Sequence, residues 1–554
     1  MRGLLLDLCP TFVFAGLLAV PAGCAKDPID TSDAGVDGGT DAGETGADDA
    51  GVDDRVPAHG VRIADVYANQ AVRVRVANGA DAILTDRTAP LVKGKKTLLR
   101  GMLEVEEGWE PREIEVEIRL VYEDGTEEAQ SLSLMVNGDS EDGDPSSSIF
   151  APIPGELIRP GMKFQLRMFD QDDSREGEAL FGPVDSPSEP GLLGIQPEDL
   201  GIDVTLVPIY HDLGDDCPET PAPTENDVAL LSEWLLAHNP ADHVDITIAP
   251  ALTFSQTVSN GFDLLLNFLA QAREDAGADP GAYWYGLIRT CGETPMVPGV
   301  GAIDGQAIAI NDINFVDDPS LRVAAGRWRT DVLTDGIVQV EKSVMDTFVH
   351  EIGHTQGRAH SPCEAPGADN NYPYPDADIG VWGFDTVNNL YFSPTARKDY
   401  MSYCNPVWVS DYVYLAVYPF IRTISGWESG KQATPGGVAQ PLLYGQVDPN
   451  GEVSWRTRMG VMPAHHEAHV TVEIDGIPMD AAFLAPTEAE RGGLLIAPLP
   501  ATWTSGNDAA IQAGAGTLVV ELDGEPRTFA REVLRASVAA TRKGAVDALR
   551  VRTP

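Results

Sequence analysis

Positive charge is scarce in this sequence of 554 residues. Lysine and arginine together number 38 against 85 aspartates and glutamates, which gives a formal net charge of −47 at pH 7. A surface this acidic repels phosphate backbones, and the sequence contains no local cluster of basic residues that would attract one. The composition therefore argues against nucleic acid as a partner.

Long apolar runs are also missing from most of the chain. Hydrophobic residues make up 43% of it and the mean hydropathy is −0.12, values that are typical of a globular protein. No run reaches the roughly 18 apolar residues that a membrane-spanning helix requires. We therefore expect several domains with buried cores, because a chain of this length usually divides into three or four.

The N-terminus has the pattern of an export signal. Leu8–Val20 has the length of the apolar region of a signal peptide, and Arg2 precedes it. The stretch ends in Pro21-Ala22-Gly23-Cys24, which resembles a bacterial lipobox. The sequence thus predicts a signal peptide over residues 1–23 and lipidation of Cys24, with ordinary cleavage and secretion as the alternative. The exported chain would be a lipoprotein of the outer membrane or cell surface, contacting the membrane only through Cys24, or a secreted protein.

An acidic stretch of low complexity follows the predicted lipid site. Between Asp27 and Arg55 there are nine aspartates, one glutamate and one arginine, separated mainly by small residues. Such a segment has almost no apolar side chains to bury and repels itself. We interpret residues 24–58 as an extended tether that holds the rest of the chain away from the membrane.

Residues 59–198 alternate apolar and polar side chains, as half-buried strands do. Val72–Val76 and Ile114–Leu120 show this pattern most plainly, and helical spacing is rare here. We predict a β-sandwich. Two of its turns, at 139–144 and 170–173, are rich in the carboxylates that Ca²⁺ prefers. Neither has the spacing of an EF-hand loop, so bare acidic turns are the alternative to calcium sites.

Residues 199–430 instead alternate strand patterns with helix patterns. Apolar residues recur at helical spacing in Asp227–His238 and Gly261–Ala276. The predicted strands are Ile202–Tyr210, Val244–Ile248 and Tyr283–Ile288. This order favours an α/β-type core.

Strand-like alternation returns in residues 431–554, at His469–Ile474 and Thr517–Leu522. We predict a second, smaller β domain there. The expected fold class is therefore multidomain, with an α/β (α+β) region flanked by β-sandwich-like domains.

The most informative motif is His350-Glu351-x-x-His354-x-x-Gly357-x-x-His360. On a helix predicted over Val344–Gln356, the first two histidines project from one face, one turn apart, as two ligands of a tetrahedral zinc would. Gly357 can end the helix in the left-handed conformation, so that the chain turns and brings in His360 as a third ligand. Three protein ligands leave the fourth position for water, and Glu351 can take a proton from that water as a general base.

This motif resembles the zinc-binding signature of the metzincin metallopeptidases in full. Metzincins also have a methionine turn beneath the zinc, and Asp399–Cys404 is similar to it, with Met401 as the structural methionine. The resemblance implies one catalytic Zn²⁺ and hydrolysis of peptide bonds in protein or glycoprotein substrates. It also places Tyr403 where some metzincins have a tyrosine that reaches the metal or the oxyanion; core packing is the alternative for Tyr403.

Three further stretches are similar to a bacterial secreted subgroup that includes the mucin-cleaving metzincins: Ser361–Cys363, Tyr372–Pro375 and Trp408–Tyr412. The function predicted for the chain is thus that of a zinc-dependent endopeptidase acting outside the cell. The alternative from another class is a surface adhesin or glycan-binding protein whose zinc domain is inactive and whose β domains bind the partner.

Of six cysteines, four remain if Cys9 leaves with the signal peptide and Cys24 receives lipid. Counting alone permits three pairings of these four. The resemblance adds a preference, because a methionine turn beneath the zinc would bring Cys404 near Cys363, which follows the third histidine. It implies a Cys363–Cys404 disulfide and leaves Cys217 with Cys291.

Two weaker patterns compete with these assignments. His465-His466-Glu467-Ala468-His469 is dense in metal-ligand types but does not complete a zinc motif, so an ancillary metal site there is a minor alternative. Arg289-Thr290-Cys291-Gly292 faintly resembles the thiol latch of matrix metalloproteinase propeptides. A disulfide is the better role for Cys291, because this segment lies within the expected catalytic region.

Overall fold

The computed structural model describes residues 54–428, apart from short gaps at 215, 298–299, 309–315, 317–318 and 334–337, and separate segments between 440 and 551. The described part of the chain is mostly β, with thirty-three strands and four α-helices. None of the described helices is both long and apolar enough to span a bilayer. The predicted signal peptide, Cys24, most of the acidic tether and His465–Glu467 lie outside the described residues.

The first eleven strands belong to the region predicted to be all β. They are β1 (Val61–Asn69), β2 (Arg73–Asn78), β3 (Asp81–Ala82), β4 (Leu91–Val92), β5 (Thr97–Val105), β6 (Arg112–Val121), β7 (Glu127–Val136), β8 (Ile149–Ile153), β9 (Lys163–Asp170), β10 (Asp185–Leu192) and β11 (Ile195–Gln196). Most of them form two antiparallel sheets, ordered β3-β2-β1-β5-β8 and β10-β9-β6-β7. Strands predicted at Val72–Val76 and Ile114–Leu120 correspond to β2 and β6.

The two N-terminal sheets pack through their apolar faces. In β6 every second side chain is buried, from Ile114 to Leu120, which is the period-2 pattern that the sequence shows. Gly101 of β5 lies where a Cβ would come within 3.1 Å of the Leu166 side chain in β9. The two sheets thus approach each other closely at this position.

The acidic turns of this region bind the protein's own cations in the structure. The carboxylate of Asp142 pairs with Arg73, and Asp170 pairs with Arg112 and with the ring of His59. Within the described residues, no carboxylate cluster of either turn has the geometry of a metal site. One carboxylate of each turn is thus paired within the protein, and calcium binding at these turns stays an open alternative.

The central region contains four helices and fourteen strands among the described residues. The helices are α1 (Glu225–His238), α2 (Asp263–Asp275), α3 (Lys342–Thr355) and α4 (Asp411–Glu428). The strands are β12 (Gly201–His211), β13 (His243–Ile248), β14 (Leu252–Phe254), β15 (Tyr283–Ile288), β16 (Met296–Val297), β17 (Gly301–Ala302), β18 (Gly305–Ala307), β19 (Val323–Arg327), β20 (Thr330–Val332), β21 (Val338–Val340), β22 (Gly383–Asp385), β23 (Leu390–Phe392), β24 (Lys398–Asp399) and β25 (Val407–Trp408).

One six-stranded sheet organises this region. Its order is β13-β12-β15-β19-β18, with β14 also paired to β12. All strand pairs in this sheet are parallel except β18 with β19, which is antiparallel. Strand β18 is the last described strand at this end of the sheet. The helices α1, α2 and α3 and the strands β12, β13 and β15 lie within two residues of the sequence predictions. Helix α4, which contains Pro419, was not predicted.

The remaining strands form a single antiparallel sheet near the C-terminus. Its strands are β26 (Gln440–Val447), β27 (Val453–Gly460), β28 (Ala468–Ile474), β29 (Ile477–Leu484), β30 (Gly493–Pro498), β31 (Thr517–Leu522), β32 (Glu525–Ala530) and β33 (Leu549–Val551). Their order is β32-β31-β28-β29-β30-β26-β27-β33. Leu442, Tyr444 and Ile496 of this sheet pack into the same apolar cluster as helix α2.

The N-terminal sheets and the central region share one apolar core. A continuous cluster of buried side chains runs from the N-terminal strands through α1 and α3 to α4. Polar contacts reinforce it: Trp408 Nε1 and the amide of Phe384 both donate to the carbonyl of Ala71, each at 2.9 Å. Lys95 donates from the N-terminal region to the carbonyls of Leu236 and Asn239 at the end of α1, both at 2.6 Å.

Candidate metal and catalytic site

Helix α3 carries the first half of the site. Val344, Phe348 and Ile352 lie on one stripe of the helix and are almost fully buried, so packing fixes the rotation of the helix about its axis. The helix ends before Gly357, whose φ of 81° is in the left-handed region. The amide of Arg358 donates to the carbonyl of Gly353 at 3.1 Å and closes the last turn.

The turn after α3 brings three histidines together. The nitrogens that His350, His354 and His360 offer to a metal lie within 4.8 Å of one another, and all three residues are buried. The Nε2 atoms of His350 and His354 are 3.0 Å apart. Among the described residues, this is the only group of three or more His, Cys, Asp or Glu side chains arranged to hold a metal ion.

Backbone carbonyls determine which nitrogen of each imidazole faces the centre of the group. Nδ1 of His350 donates to the carbonyl of Tyr400 at 2.7 Å, and Nδ1 of His354 to that of Arg358 at 2.7 Å. His360 Nδ1 donates to the carbonyl of Pro366 at 2.6 Å. A carbonyl can only accept, so each neutral ring has its proton on Nδ1 and a lone pair on Nε2. Three converging lone pairs repel one another unless a cation lies between them, and the residues therefore fit a metal ion.

Glu351 lies next to this group and faces a cavity. Its side chain is 3% exposed, and with His350 and Tyr403 it lines a cavity of about 540 Å³. On the sheet side it lies against Gly305 of the end strand β18, where a Cβ would come within 2.6 Å of Glu351 Oε1. The carboxylate is thus enclosed between α3 and the end of the sheet.

The segment Asp399–Cys404, which the sequence predicts to be a methionine turn, lies against the end of α3. Met401 is fully buried, and a Cβ on Gly353 would lie only 2.4 Å from its sulfur, so the sulfur packs directly on the helix backbone one residue before His354. The carbonyl of Met401 accepts from the amide of Ser361 at 2.9 Å. This bond ties the turn to the residue that follows His360.

Tyr403 has its ring toward the histidines. Its ring centroid is 4.9 Å from that of His360 and 6.0 Å from that of His350. It is half-buried and lines the cavity. The ring of Tyr403 thus lies beside two of the histidines and on the wall of the cavity.

Asp399 is a residue of the site for which the motif gave no role. Its side chain is fully buried. Oδ1 accepts from the hydroxyl of Ser361 at 3.0 Å and from the amide of Met401 at 2.9 Å, and Oδ2 accepts from the amide of Ser410 at 2.8 Å. Burial raises the pKa of this carboxyl while these hydrogen bonds oppose the shift. One carboxylate thus joins the loop after His360, the methionine turn and the start of α4.

Two disulfides lie in this region. Cys363 is bonded to Cys404 and Cys217 to Cys291. The first joins the loop after His360 to the end of the methionine turn, where the amide of Tyr403 also donates to the carbonyl of Cys363 at 3.1 Å. The bond between Cys217 and Cys291 leaves Cys291 without a thiolate, so it cannot act as a latch on a metal.

Paired charges also line the cavity, at Asp304 beside β18 and at Lys342 and Asp346 in the first turns of α3. Asp304 contacts Arg327 and Arg329, and these guanidinium groups lower the pKa of its carboxyl. Asp346 contacts Lys342 and the indole nitrogen of Trp234, but burial is the largest influence on its carboxyl and raises the pKa. The cavity is therefore polar on this side, and its charges are largely compensated.

Comparisons with known proteins bear mainly on this part of the chain. The model of the family described as Peptidase M66 matches residues 332–408, a segment that includes α3, the three histidines and Met401. No curated protein matches the chain. The family match supports a peptidase, and the histidine group is consistent with a metallopeptidase.

Some solved structures share a weak similarity with the chain. A putative beta-galactosidase from Bacteroides fragilis is 10% identical, with 85% of this chain and 72% of that chain covered and a TM-score of 0.13. A glycosyl hydrolase family 2 member from Bacteroides cellulosilyticus is 9% identical, with 84% and 78% covered and a TM-score of 0.14. A beta-glycosidase from Bacteroides vulgatus is 8% identical, with 85% and 79% covered and a TM-score of 0.15. TM-scores this low carry no argument about fold or function.

Proposed function

We propose that this chain is a zinc-dependent endopeptidase of the metzincin type. The observation that carries the proposal is the group of three imidazoles, each held by a carbonyl on Nδ1 so that its Nε2 faces the other two. Three histidines with an open fourth position are the ligand set of many catalytic zinc sites. The match to Peptidase M66 over the same segment supports the assignment.

The residues around the histidines have distinct roles in this mechanism. When bound, zinc lowers the pKa of a water molecule and polarises the scissile carbonyl. Glu351 accepts the proton of that water and passes it to the leaving amine. Tyr403 orients the carbonyl oxygen from the opposite side of the cavity, and Met401 supports the imidazoles from below. An extended substrate can pair with β18, the last described strand of the sheet, whose Gly305 lines the cavity.

The substrate class follows from the peptidase assignment and the place of action from the N-terminus. A peptidase acts on proteins, and the similarity to mucin-cleaving metzincins adds glycoproteins as candidate substrates. Cleavage after Gly23 and lipidation of Cys24 would hold residues 59–554 at the outer membrane or cell surface on the acidic tether. A Cys24→Ser variant would then move from the detergent phase to the soluble fraction, and an unmodified Cys24 found by mass spectrometry would make the protein a secreted one.

Substitution of Glu351 and of a histidine tests the proposal. Glu351→Gln should retain zinc, because the carboxylate is not a ligand, and should lose at least about 10²-fold in cleavage rate on a denatured protein. His360→Ala should lower the zinc content itself. Glu233→Gln, an exposed glutamate on α1, is the matched control and should retain both zinc and activity.

The same measurements separate the peptidase from the alternative function. Zinc bound by the wild type without turnover on any protein or glycoprotein would favour a surface adhesin with an inactive zinc domain. Full activity of Glu351→Gln would remove Glu351 as the base. A cleavage-site profile on mixed proteins and glycoproteins would then define the specificity of the active enzyme.

A further inference from the structure

One buried hydroxyl near the site has no role in the mechanism described so far. Tyr285 lies in β15 and is fully buried, and its hydroxyl has no hydrogen-bond partner among the described residues. Its ring packs edge-on against Phe348 of α3, with centroids 4.9 Å apart. Phe348 precedes Glu351 by three residues, so the two side chains lie on neighbouring positions of the helix surface.

A pair of glycines makes room for this hydroxyl and for the carboxylate of Glu351. Gly305 of β18 lies directly opposite Gly326 of β19 in the antiparallel register. A Cβ on Gly326 would lie 2.2 Å from the hydroxyl oxygen of Tyr285, and a Cβ on Gly305 would lie 2.6 Å from Glu351 Oε1. Directly opposed residues project to the same face of a sheet. Hydroxyl and carboxylate therefore occupy adjacent places on one face, above two residues without side chains.

The chemistry of the hydroxyl suits a donor. Burial raises the pKa of Tyr285 well above its ordinary value, and the charges of Glu351 and Asp304 raise it further. The phenol therefore keeps its proton. A buried hydroxyl without a partner destabilises a protein, and phenylalanine would fill the same space without that penalty. Packing alone thus gives no reason for tyrosine at this position.

We propose that Tyr285 is a positioning residue for Glu351: its hydroxyl donates a hydrogen bond to the carboxylate through one water held above Gly305 and Gly326. The inference rests on the proposed peptidase function. A separation too long for a direct hydrogen bond is often bridged by water when both groups are polar and space is present. Held in this way, the carboxylate keeps the orientation in which it can take a proton from the reacting water.

Tyr285→Phe in the full chain tests the inference. Because the variant removes only the hydroxyl, we expect kcat to fall roughly 10-fold or more while KM stays within about twofold. Zinc content and melting temperature should not fall. Tyr414→Phe is the matched control: Tyr414 is also fully buried with an unpartnered hydroxyl, but it lies on α4, and its kcat should equal that of the wild type.

A second variant, at Gly305, tests whether the position of the Glu351 carboxylate matters. Gly305→Ala places a methyl group against Glu351 and Thr347, which displaces the carboxylate, so kcat should fall while zinc content is retained. Wild-type kcat in Tyr285→Phe, or an equal loss in Tyr414→Phe, overturns the role of Tyr285. Failure of the peptidase proposal gives a different result, namely equal rates for the wild type and Glu351→Gln.

Discussion

At the scale of single residues, Asp399 shows how a buried charge can support a metal site without touching it. Its carboxylate accepts from Ser361, Met401 and Ser410, so three segments around the histidines depend on one side chain. A buried carboxylate is costly unless such donors surround it. Here the donors come from two backbone amides and a hydroxyl, and the charge stabilises the segments that carry them.

We expect Asp399→Asn to weaken both the fold and the metal site. The amide nitrogen of asparagine would face a backbone donor, which should lower the free energy of unfolding by about 2–3 kcal/mol. Zinc affinity should fall roughly 10-fold or more, because the loop after His360 loses its tie to the methionine turn. Titration with a competing chelator measures this affinity.

Asp385 provides the control. It is also a buried aspartate that accepts from backbone amides, those of Val387 and Asn388, but its hydrogen bonds within the described structure stay in the turn after β22. Asp385→Asn should lower stability and leave the zinc affinity unchanged. Equal zinc affinities for the two variants would contradict the role given to Asp399.

The burial of His238 predicts that acid lowers the stability of the folded chain. Its ring is enclosed by Trp234, Trp408 and Tyr400, and burial lowers its pKa from 6.5 to about 3. Between these pH values the unfolded chain binds the proton and the folded chain does not. The free energy of unfolding therefore falls as the pH falls through this window, by at most about 1.4 kcal/mol per pH unit from this residue.

Urea unfolding at several pH values can isolate that contribution. His238→Gln should flatten the dependence between pH 6 and 4, because the group that titrates only in the unfolded state is gone. His243 is the contrasting case: its ring donates a hydrogen bond to the carboxylate of Asp242, which raises its pKa above 6.5. The stabilisation it gives the folded chain is therefore lost as the pH rises above 6.5 and is complete below that value. Between pH 6 and 4 His243→Gln should therefore lower the free energy of unfolding by a nearly constant amount and leave the slope as in the wild type, and an equal flattening in both variants would contradict this account.

At the scale of elements, the sequence predicts those helices and strands that depend on the spacing of apolar residues close together in the chain. The stripe of Val344, Phe348 and Ile352 indicates α3, and the positions of the histidines follow from the helix and the glycine after it. Helix α4 escaped prediction because Pro419 in its interior normally indicates a break. Tyr285, Gly305 and Gly326 could not be recognised either, because only the register of β15, β18 and β19 brings them near Glu351, and register depends on the whole sheet.

The two disulfides should differ in their effect on the site. Replacing either pair by serine should lower the free energy of unfolding by about 2–4 kcal/mol, because each bond restricts the unfolded chain. Cys363–Cys404 joins two segments next to the histidines, so its loss should also lower zinc affinity. Cys217–Cys291 lies at the beginning of the central region and at the end of β15, and its loss should leave that affinity unchanged.

Measurement of zinc affinity and thermal unfolding in both double variants checks this expectation. If the Cys217→Ser/Cys291→Ser protein loses zinc as readily as the Cys363→Ser/Cys404→Ser protein, the lower zinc affinity comes from a general loss of stability and not from a local change at the histidines. The special place of the Cys363–Cys404 bond would then be disproved.

At the scale of the whole molecule, the described chain from Arg55 onward is one compact unit. The sequence predicts a separate β domain over 59–198 from its change of pattern, and that change is visible because strands and helices have different periods. The sequence pattern gives no sign that the apolar residues of 59–198 pack into the same core as α1, α3 and α4. Contacts of this kind join residues far apart in sequence, such as Ala71 and Trp408, and local patterns do not encode them.

We therefore expect the central region not to fold stably without the N-terminal sheets. A chain of residues 199–430 alone would expose the apolar surface of α1 and α4 and lose the contacts of Ala71 and Lys95. It should bind a hydrophobic dye and lack a cooperative thermal transition, whereas residues 55–554 should unfold with the two regions coupled. A cooperative transition of the 199–430 chain near the melting temperature of the longer one would contradict the shared core.

The bond between Cys363 and Cys404 has a further consequence for a chain proposed to cut proteins. It encloses the segment 364–403, which contains Met401 and lies next to His360. If another copy cuts this segment once, the two pieces stay covalently joined, and the histidines and the methionine remain parts of one molecule. Such a cut by a second copy would add only the mass of one water to the protein, and the two pieces would separate only after the disulfide is reduced.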